Sequence, residues 1–249
     1  MNISGNTVLI TGGGTGIGLA CAQLFLENGN EVLICGRRKS KLLAAQKRFP
    51  RLHIKVCDIT KEADRKKLLS WINSNFKRMN ILVNNAGIQK MIDFQKRGPA
   101  LKSKESEITT NFEAPVHLCA LFIPHLMKQK EAAIINISSG LGFIPFAAVP
   151  VYSATKAAIH SFSLSLRHQL KDTPVKVFEV IPPIVDTELD KGARETRGQA
   201  DRGIPPLDVA KATLEAMKKN DYEVAIGMAE NLRRGAREKP EQIFQFINT

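Results

Sequence analysis

The chain is poor in several things at once. Aromatic residues make up 6% of its 249 positions, with two tyrosines and one tryptophan. No aromatic-and-basic interleaving of the kind that stacks single-stranded nucleic acid is present. The four cysteines, Cys21, Cys35, Cys57 and Cys119, are far apart and sit inside apolar segments, and none forms a CxxC pair. That argues against both a zinc site and a disulfide framework. The five histidines, His53, His117, His125, His160 and His168, show no metal-ligand spacing and read as structural or surface groups. No uninterrupted apolar run reaches membrane-spanning length. The most apolar long stretch, 134–151, is broken by Asn136, Ser138, Ser139 and two prolines. Met1 leads straight into a strand-like segment with no basic region and apolar core before it, so a cytoplasmic protein is expected.

Acidic residues are also in deficit, 24 against 36 Lys and Arg, leaving a formal charge of +12. A polyanion-binding reading would need that charge to cluster. It is spread instead over 37–41, 47–55, 61–67, 96–104 and 233–239, and no zinc finger, basic-region helix or RNA-binding signature accompanies it. The excess reads as a solvated surface, and no nucleic-acid partner is expected.

What is present is alternation. Short Val- and Ile-rich runs near 6–10, 31–35, 53–57, 81–84, 133–138, 175–181 and 223–226 alternate with helical-period segments. Those segments lie near 16–28, 38–48, 62–76, 104–128, 152–171 and 207–219. Strands apolar on both faces, separated by helices, predict an α/β fold: a single-domain, Rossmann-like, doubly wound parallel sheet of seven strands with helices on both faces. No linker divides the chain, so residues 1–249 are taken as one domain. Small residues at 154, 157, 158 and 161, and the strongly apolar run 114–127, suggest a homodimer or homotetramer interface or else deep burial within one subunit.

The first strand runs into GGGTGIG, residues 12–18. The generic G-x-G-x-x-G spacing fails, since the third position is Ile17 counted from Gly12 and Leu19 counted from Gly14. The physical logic survives the changed spacing. Gly12 permits the tight turn, Gly16 lets backbone approach a pyrophosphate, and Gly18 lets helix pack close on strand, with the helix N-terminus aimed at the anion. At the end of the second strand a free ribose 2′-hydroxyl would usually meet an acid. The chain has Gly36-Arg37-Arg38 there. Guanidinium groups suit a 2′-phosphate, so NADP(H) is favoured over NAD(H).

TGGGTGIG (11–18), NNAG (84–87), Asn111, ISS (137–139), Tyr152-Ser-Ala-Thr-Lys156 and PPIVDT (182–187) occur in the order and spacing of the short-chain dehydrogenase/reductase family, which the chain resembles over nearly its whole length. The segments NNAGIQK, APVHL, PHLMKQKEAAI and YSATKAAIHSFSLSLRHQL further resemble the DltE-type oxidoreductases, which are found with the D-alanylation operon for teichoic acids in Gram-positive bacteria.

The resemblance implies an NADP(H)-dependent oxidoreductase moving hydride between nicotinamide and a carbonyl or alcohol. Its catalytic residues would be Asn111, Ser139, Tyr152 and Lys156. Tyr152 and Lys156 lie one helical turn apart, and a nearby ammonium stabilises phenolate, which suits Tyr152 to general acid–base work. Ser139, rather than Ser138, has the family spacing to the tyrosine for holding a substrate carbonyl. Asn111 would hold a water in a proton relay through Lys156, and Lys156 would also hold the nicotinamide ribose. Further cofactor contacts fall on Gly12, Thr15, Gly16, Ile17, Gly18, Arg37, Arg38, Asp58, Ile59, Asn85, Ala86, Gly87, Pro182, Val185 and Thr187. Leu141, Phe143 and Val149 flank the serine and tyrosine and are expected to make an apolar pocket wall with them. A polar segment, 188–206, is expected to act as a lid. The second proline of Pro182-Pro183 departs from the usual Pro-Gly, and the loop 87–105 is slightly long and basic. A regulatory protein that binds NADPH on the same fold without turnover is the second reading. An incomplete tetrad would favour it, and here all four members are present.

Overall fold

The computed structural model describes residues 1–96, 105–189, 192, 195 and 203–249. Its centre is a seven-stranded sheet in the order β3-β2-β1-β4-β5-β6-β7, every pairing parallel. The strands are β1 Thr7–Thr11, β2 Glu31–Gly36, β3 His53–Val56, β4 Met79–Asn84, β5 Ala132–Ile137, β6 Val175–Ile181 and β7 Glu223–Ala225. TVLIT and AAIINI are buried at every position, as strands covered on both faces must be.

The intervening segments form α1 Gly16–Glu27, α2 Lys39–Arg48, α3 Glu62–Asn75, α4 Ala114–Leu126, α5 Pro150–Gln169 and α6 Pro206–Lys219. One layer of core joins Val8, Ile10, Val32 and Ile34 to Phe25 of α1, Leu42 of α2 and Met217 of α6. The opposite layer joins Leu9, Leu33 and Leu82 to Ile72 of α3, Phe122 of α4 and Leu166 of α5. The expected doubly wound architecture is therefore the one observed. Strand order reverses between β1 and β4, and that crevice, outside the carboxyl ends of the strands, is where such sheets bind ligands.

A π turn and two C-terminal helices differ from the expectation. The predicted helix 104–128 is interrupted by a π turn, Thr109–Glu113, in which the Ala114 N–H reaches back five residues to the Thr109 carbonyl. Pro115 supplies the reason. It has no N–H for the Asn111 carbonyl four residues earlier, and its ring crowds that carbonyl, so the helix widens there. Two helices near the C-terminus, α7 Met228–Glu238 and α8 Pro240–Asn248, were not expected. The predicted lid, 188–206, falls largely outside the described residues, as do 97–104 of the basic loop.

Candidate active site

The carboxyl ends of β1, β4, β5 and β6 open onto a cleft of about 1490 Å³. Small-molecule sites usually occupy roughly 300–1,000 Å³, so there is room for a dinucleotide beside a second ligand.

At one end the glycine turn forms the floor. Gly12 and Gly16 hold φ of +65° and +55°, where a side chain would be strained. A Cβ on Gly12 would lie 2.9 Å from the Ala86 Cα, and one on Gly18 would lie 2.5 Å from Asn85 Nδ2 and 2.6 Å from the Gly12 carbonyl oxygen. Gly18 therefore serves helix-to-strand packing and does not line the cleft, whereas Gly12, Thr15, Gly16 and Ile17 do. Thr15 stands at the N-cap of α1 with no side-chain cap, and the first turn carries no acid. The first-turn N–H groups and positive dipole end of α1 are thus open to an anion. Asn85 ties the two sides together: its Nδ2 donates to the Thr11 carbonyl at 2.9 Å, while its own N–H donates to Thr11 Oγ1 at 3.0 Å.

Gly36, Arg37 and Arg38 reach the same end, joined by Lys41, a residue not anticipated although it lies one turn beyond Arg37. Each cation has an acid across the cleft mouth. Arg37 meets Glu105 at 2.6 Å, and Glu188 takes both Arg38 at 3.0 Å and Lys41 at 2.5 Å. Those two cations hold the Glu188 carboxyl below its ordinary range. Asp58 and Ile59 form the neighbouring wall, with Asp58 Oδ1 accepting from the Thr60 N–H and hydroxyl. Cys57 lines this wall too, and the neighbouring thiols of Cys57 and Cys35 act on each other, holding Cys57 below and Cys35 above the ordinary thiol range. All four cysteines are buried and free.

At the other end Ser139, Leu141, Tyr152, Lys156, Pro182, Val185 and Thr187 share the cleft with Ala86 and Gly87. Ser139 caps the 3-10 turn Gly140–Gly142, its Oγ accepting from the Leu141 N–H at 3.2 Å. Ser138 turns toward β6, 3.4 Å from the Val180 carbonyl. Tyr152 and Lys156 occupy one face of α5, and the ammonium lies 5.5 Å from the Tyr152 ring centre. Lys156 Nζ donates to the Ile137 carbonyl at 2.8 Å. Burial pushes this amine down to about 8, with the Glu179 carboxylate opposing the fall.

Asn111 stands one layer behind the cleft wall. Its Nδ2 donates to the Ile88 carbonyl at 2.8 Å and to Thr155 Oγ1 at 3.2 Å, while its Oδ1 accepts from the Ile88 N–H at 2.9 Å. The side chain is thus committed to the loop after β4, and the π turn removes its carbonyl from the ordinary helical ladder. Beside it, the buried Thr110 hydroxyl lines the cleft and has no hydrogen-bond partner.

Two expected pocket residues are placed elsewhere. Phe143 packs one turn further along α5, its ring 4.5 Å from that of His160, and Val149 is fully buried at the N-cap of α5. Neither lines the cleft. The wall they were expected to form comes instead from Met228, Leu232 and Phe246 of α7 and α8. Asn248 docks α8 onto the loop before α5, accepting from the Ala147 N–H at 2.6 Å and donating to the Pro145 carbonyl at 3.1 Å.

The short chain dehydrogenase family model matches residues 6–198. The chain belongs to that family. This short-chain dehydrogenase is 49% identical over 249 residues to the uncharacterized oxidoreductase DltE of Bacillus subtilis, covering 100% of this chain and 99% of the relative. Among solved structures it is similar to a short chain dehydrogenase from Burkholderia cenocepacia in complex with NADP, with a TM-score of 0.83 and 25% identity over the full length of both chains. A short chain dehydrogenase/reductase from Burkholderia phymatum in complex with NAD shares the fold, with a TM-score of 0.86 at 19% identity, covering 100% of this chain and 97% of that one. Membership makes the protein an oxidoreductase on a fold that binds a nicotinamide cofactor. Among the described residues no helix is long and apolar enough to cross a membrane.

Proposed function

We propose that this oxidoreductase reduces a ketone or aldehyde with NADPH, using Tyr152, Lys156, Ser139 and Asn111. The observation that carries the reading is the meeting of Tyr152, Lys156 and Ser139 at one end of a cleft whose other end offers a glycine turn and three cations. The residues present fit the dinucleotide: an open helix N-terminus for the pyrophosphate, and Arg37, Arg38 and Lys41 for a 2′-phosphate. The nicotinamide, when bound, supplies the hydride.

Tyr152 gives its phenolic proton to the carbonyl oxygen as that oxygen gains charge, and takes it back in the reverse direction. Lys156 stabilises the resulting phenolate from the same helix face and holds the ribose hydroxyls. Ser139 steadies the carbonyl oxygen beside the tyrosine. Asn111 holds the loop after β4, and its backbone carbonyl anchors the water that returns a proton through Lys156. Ile59, Asn85, Ala86, Gly87, Pro182, Val185 and Thr187 complete the cofactor walls. Leu141, Met228 and Phe246 favour a substrate with apolar bulk.

A panel of aldehydes and ketones assayed with NADPH and with NADH tests the proposal. NADPH-dependent turnover of at least one carbonyl supports it. Cofactor binding without turnover across the panel would favour the regulatory reading. The chain is further read as a homodimer or homotetramer built on the outer face of α5, where Ala154, Ala157, Ser161 and Leu164 are exposed. Light scattering after gel filtration decides that point.

A further inference from the structure

The inner face of α5 is polar where it crosses the sheet. Lys156, His160, Ser163 and Arg167 recur at helical spacing, and each meets a strand group. Lys156 reaches the Ile137 carbonyl, and His160 Nδ1 lies 2.8 Å from Glu179 Oε2. Asn136 Nδ2 donates to Ser163 Oγ at 2.9 Å, and Arg167 Nε donates to the Val177 carbonyl at 3.0 Å.

Glu179 is the unexpected member. It sits in the middle of the apolar strand β6 with 0% exposure, and its Oε1 has no hydrogen-bond partner. A carboxylate so placed is expensive, and an apolar side chain would serve a core strand better. Its ladder neighbour on β7 is a second acid, Glu223. Glu223 has its own cation: Arg233 NH1 lies 2.8 Å from Glu223 Oε1, and Arg233 NH2 lies 2.8 Å from Glu230 Oε2. The groups of His160, Glu179 and Glu223 lie within 4.8 Å of one another, but Arg233 already provides positive charge there, so the cluster reads as a charge network. The charged groups around Glu179 are thus His160, in contact with it, with Lys156 and Arg167 on the same face of α5, Arg167 being bound to the Val177 and Tyr222 carbonyls; Glu223 beside it on β7; and Arg233 of α7, which pairs with Glu223 and Glu230. Lys156 is the one that is itself fully buried.

Glu179 and Lys156 are two buried opposite charges on adjacent elements, each costly alone. Ile137, which holds the Lys156 ammonium, pairs with Val180, the residue after Glu179. We propose that Glu179, steadied by His160, is a positioning residue for Lys156, its buried carboxylate keeping that amine an ammonium beside Tyr152 at neutral pH. This rests on the role given to Lys156 above. Without Glu179, burial alone acts on the amine, and the proton leaves at lower pH.

The direct test is 13C NMR of lysine-labelled protein, with the Lys156 signal assigned by its loss in Lys156→Met. In Glu179→Gln the Lys156 titration midpoint should fall by about one pH unit or more, the size of effect that removing a close opposite charge produces. In Glu223→Gln it should stay within about a third of a unit, because Arg233 already answers that charge. An unmoved midpoint in Glu179→Gln, or equal shifts in both variants, overturns the proposal. The alkaline limb of the kcat/KM profile should move toward neutrality by a similar amount in Glu179→Gln, with the plateau at lower pH kept within about twofold. A uniformly lower plateau with an unmoved limb means a structural role only, and also overturns it. If Glu179→Gln alone fails to fold, adding Lys156→Met should restore folding by removing the orphaned charge. A double variant that still fails to fold counts against the proposal. If Lys156→Met keeps its turnover, the catalytic role of Lys156 falls, and with it the functional half of this inference. The NMR shift then reads the charge coupling separately.

Discussion

Replacing Lys156 with methionine should change stability by an amount that depends on pH. In the folded chain burial pushes this ammonium down to about 8 from an ordinary 10.5, with Glu179 opposing. That gap corresponds to roughly 3 kcal/mol against folding with the amine charged. Below pH 8 folded and unfolded chains both carry the proton, so the native protein bears the whole penalty. Between about pH 8 and 10.5 the folded amine is neutral while the unfolded one is still charged. The unfolded chain then binds more protons, and stability rises with pH. The methionine variant lacks this rise. The unfolding free energy of the lysine protein minus that of Lys156→Met should therefore grow by about 2 kcal/mol between about pH 7 and 9.5. Urea unfolding tracked by Trp71 fluorescence gives both values, and titrations common to the two proteins cancel. Measuring in a Tyr152→Phe background removes the neighbouring phenol from the same window. A difference constant to within about 0.5 kcal/mol would refute the claim that Lys156 is held charged against its burial.

Arg37→Asp should raise the KM for NADPH about tenfold or more while leaving that for NADH within about threefold, since one charge-assisted contact is worth about 1.5–3 kcal/mol. Equal effects on both cofactors would remove Arg37 from the 2′-phosphate. Gly18→Ala places a methyl 2.5 Å from Asn85 Nδ2 and should lower stability by about 1–3 kcal/mol, seen as a fall in Tm. Gly36→Ala, with 3.8 Å to its nearest neighbour, should leave Tm within about 2 °C and act on cofactor affinity instead, because Gly36 faces the cleft. Asn248→Ala should raise carbonyl KM severalfold with NADPH affinity unchanged, by freeing α8 from the loop it holds at the substrate end.

Most of the framework could be read from residue patterns because parallel strands buried on both faces announce themselves as unbroken Val and Ile runs. Ile34, Val83 and Ile135 are such positions, and the strands fall within about two residues of expectation. The C-terminal helices gave no comparable signal. MAENLRRGARE has few apolar positions, Pro240 breaks the helical pattern beyond it, and the pocket wall these helices supply arises only when the chain returns to the cleft. The same topology explains Phe143 and Val149: proximity to the serine and tyrosine in sequence does not decide whether a residue reaches the cleft. Lys41 was not anticipated, although its place one turn beyond Arg37 could have disclosed it. Glu179 was not legible, since a single acid in VKVFEVI does not disclose that it faces His160 across the sheet. The π turn at Asn111 arises from Pro115, a local rule that the helical period alone obscured.

The central claim is that Tyr152 exchanges the proton with the carbonyl. It is tested most directly by Tyr152→Phe, assayed on a carbonyl that the native chain reduces with NADPH, with cofactor affinity measured in parallel. Removing the hydroxyl should lower kcat by about 10²–10⁴-fold while NADPH binds within about threefold of its native affinity. Turnover surviving at native rate in that variant would contradict the account.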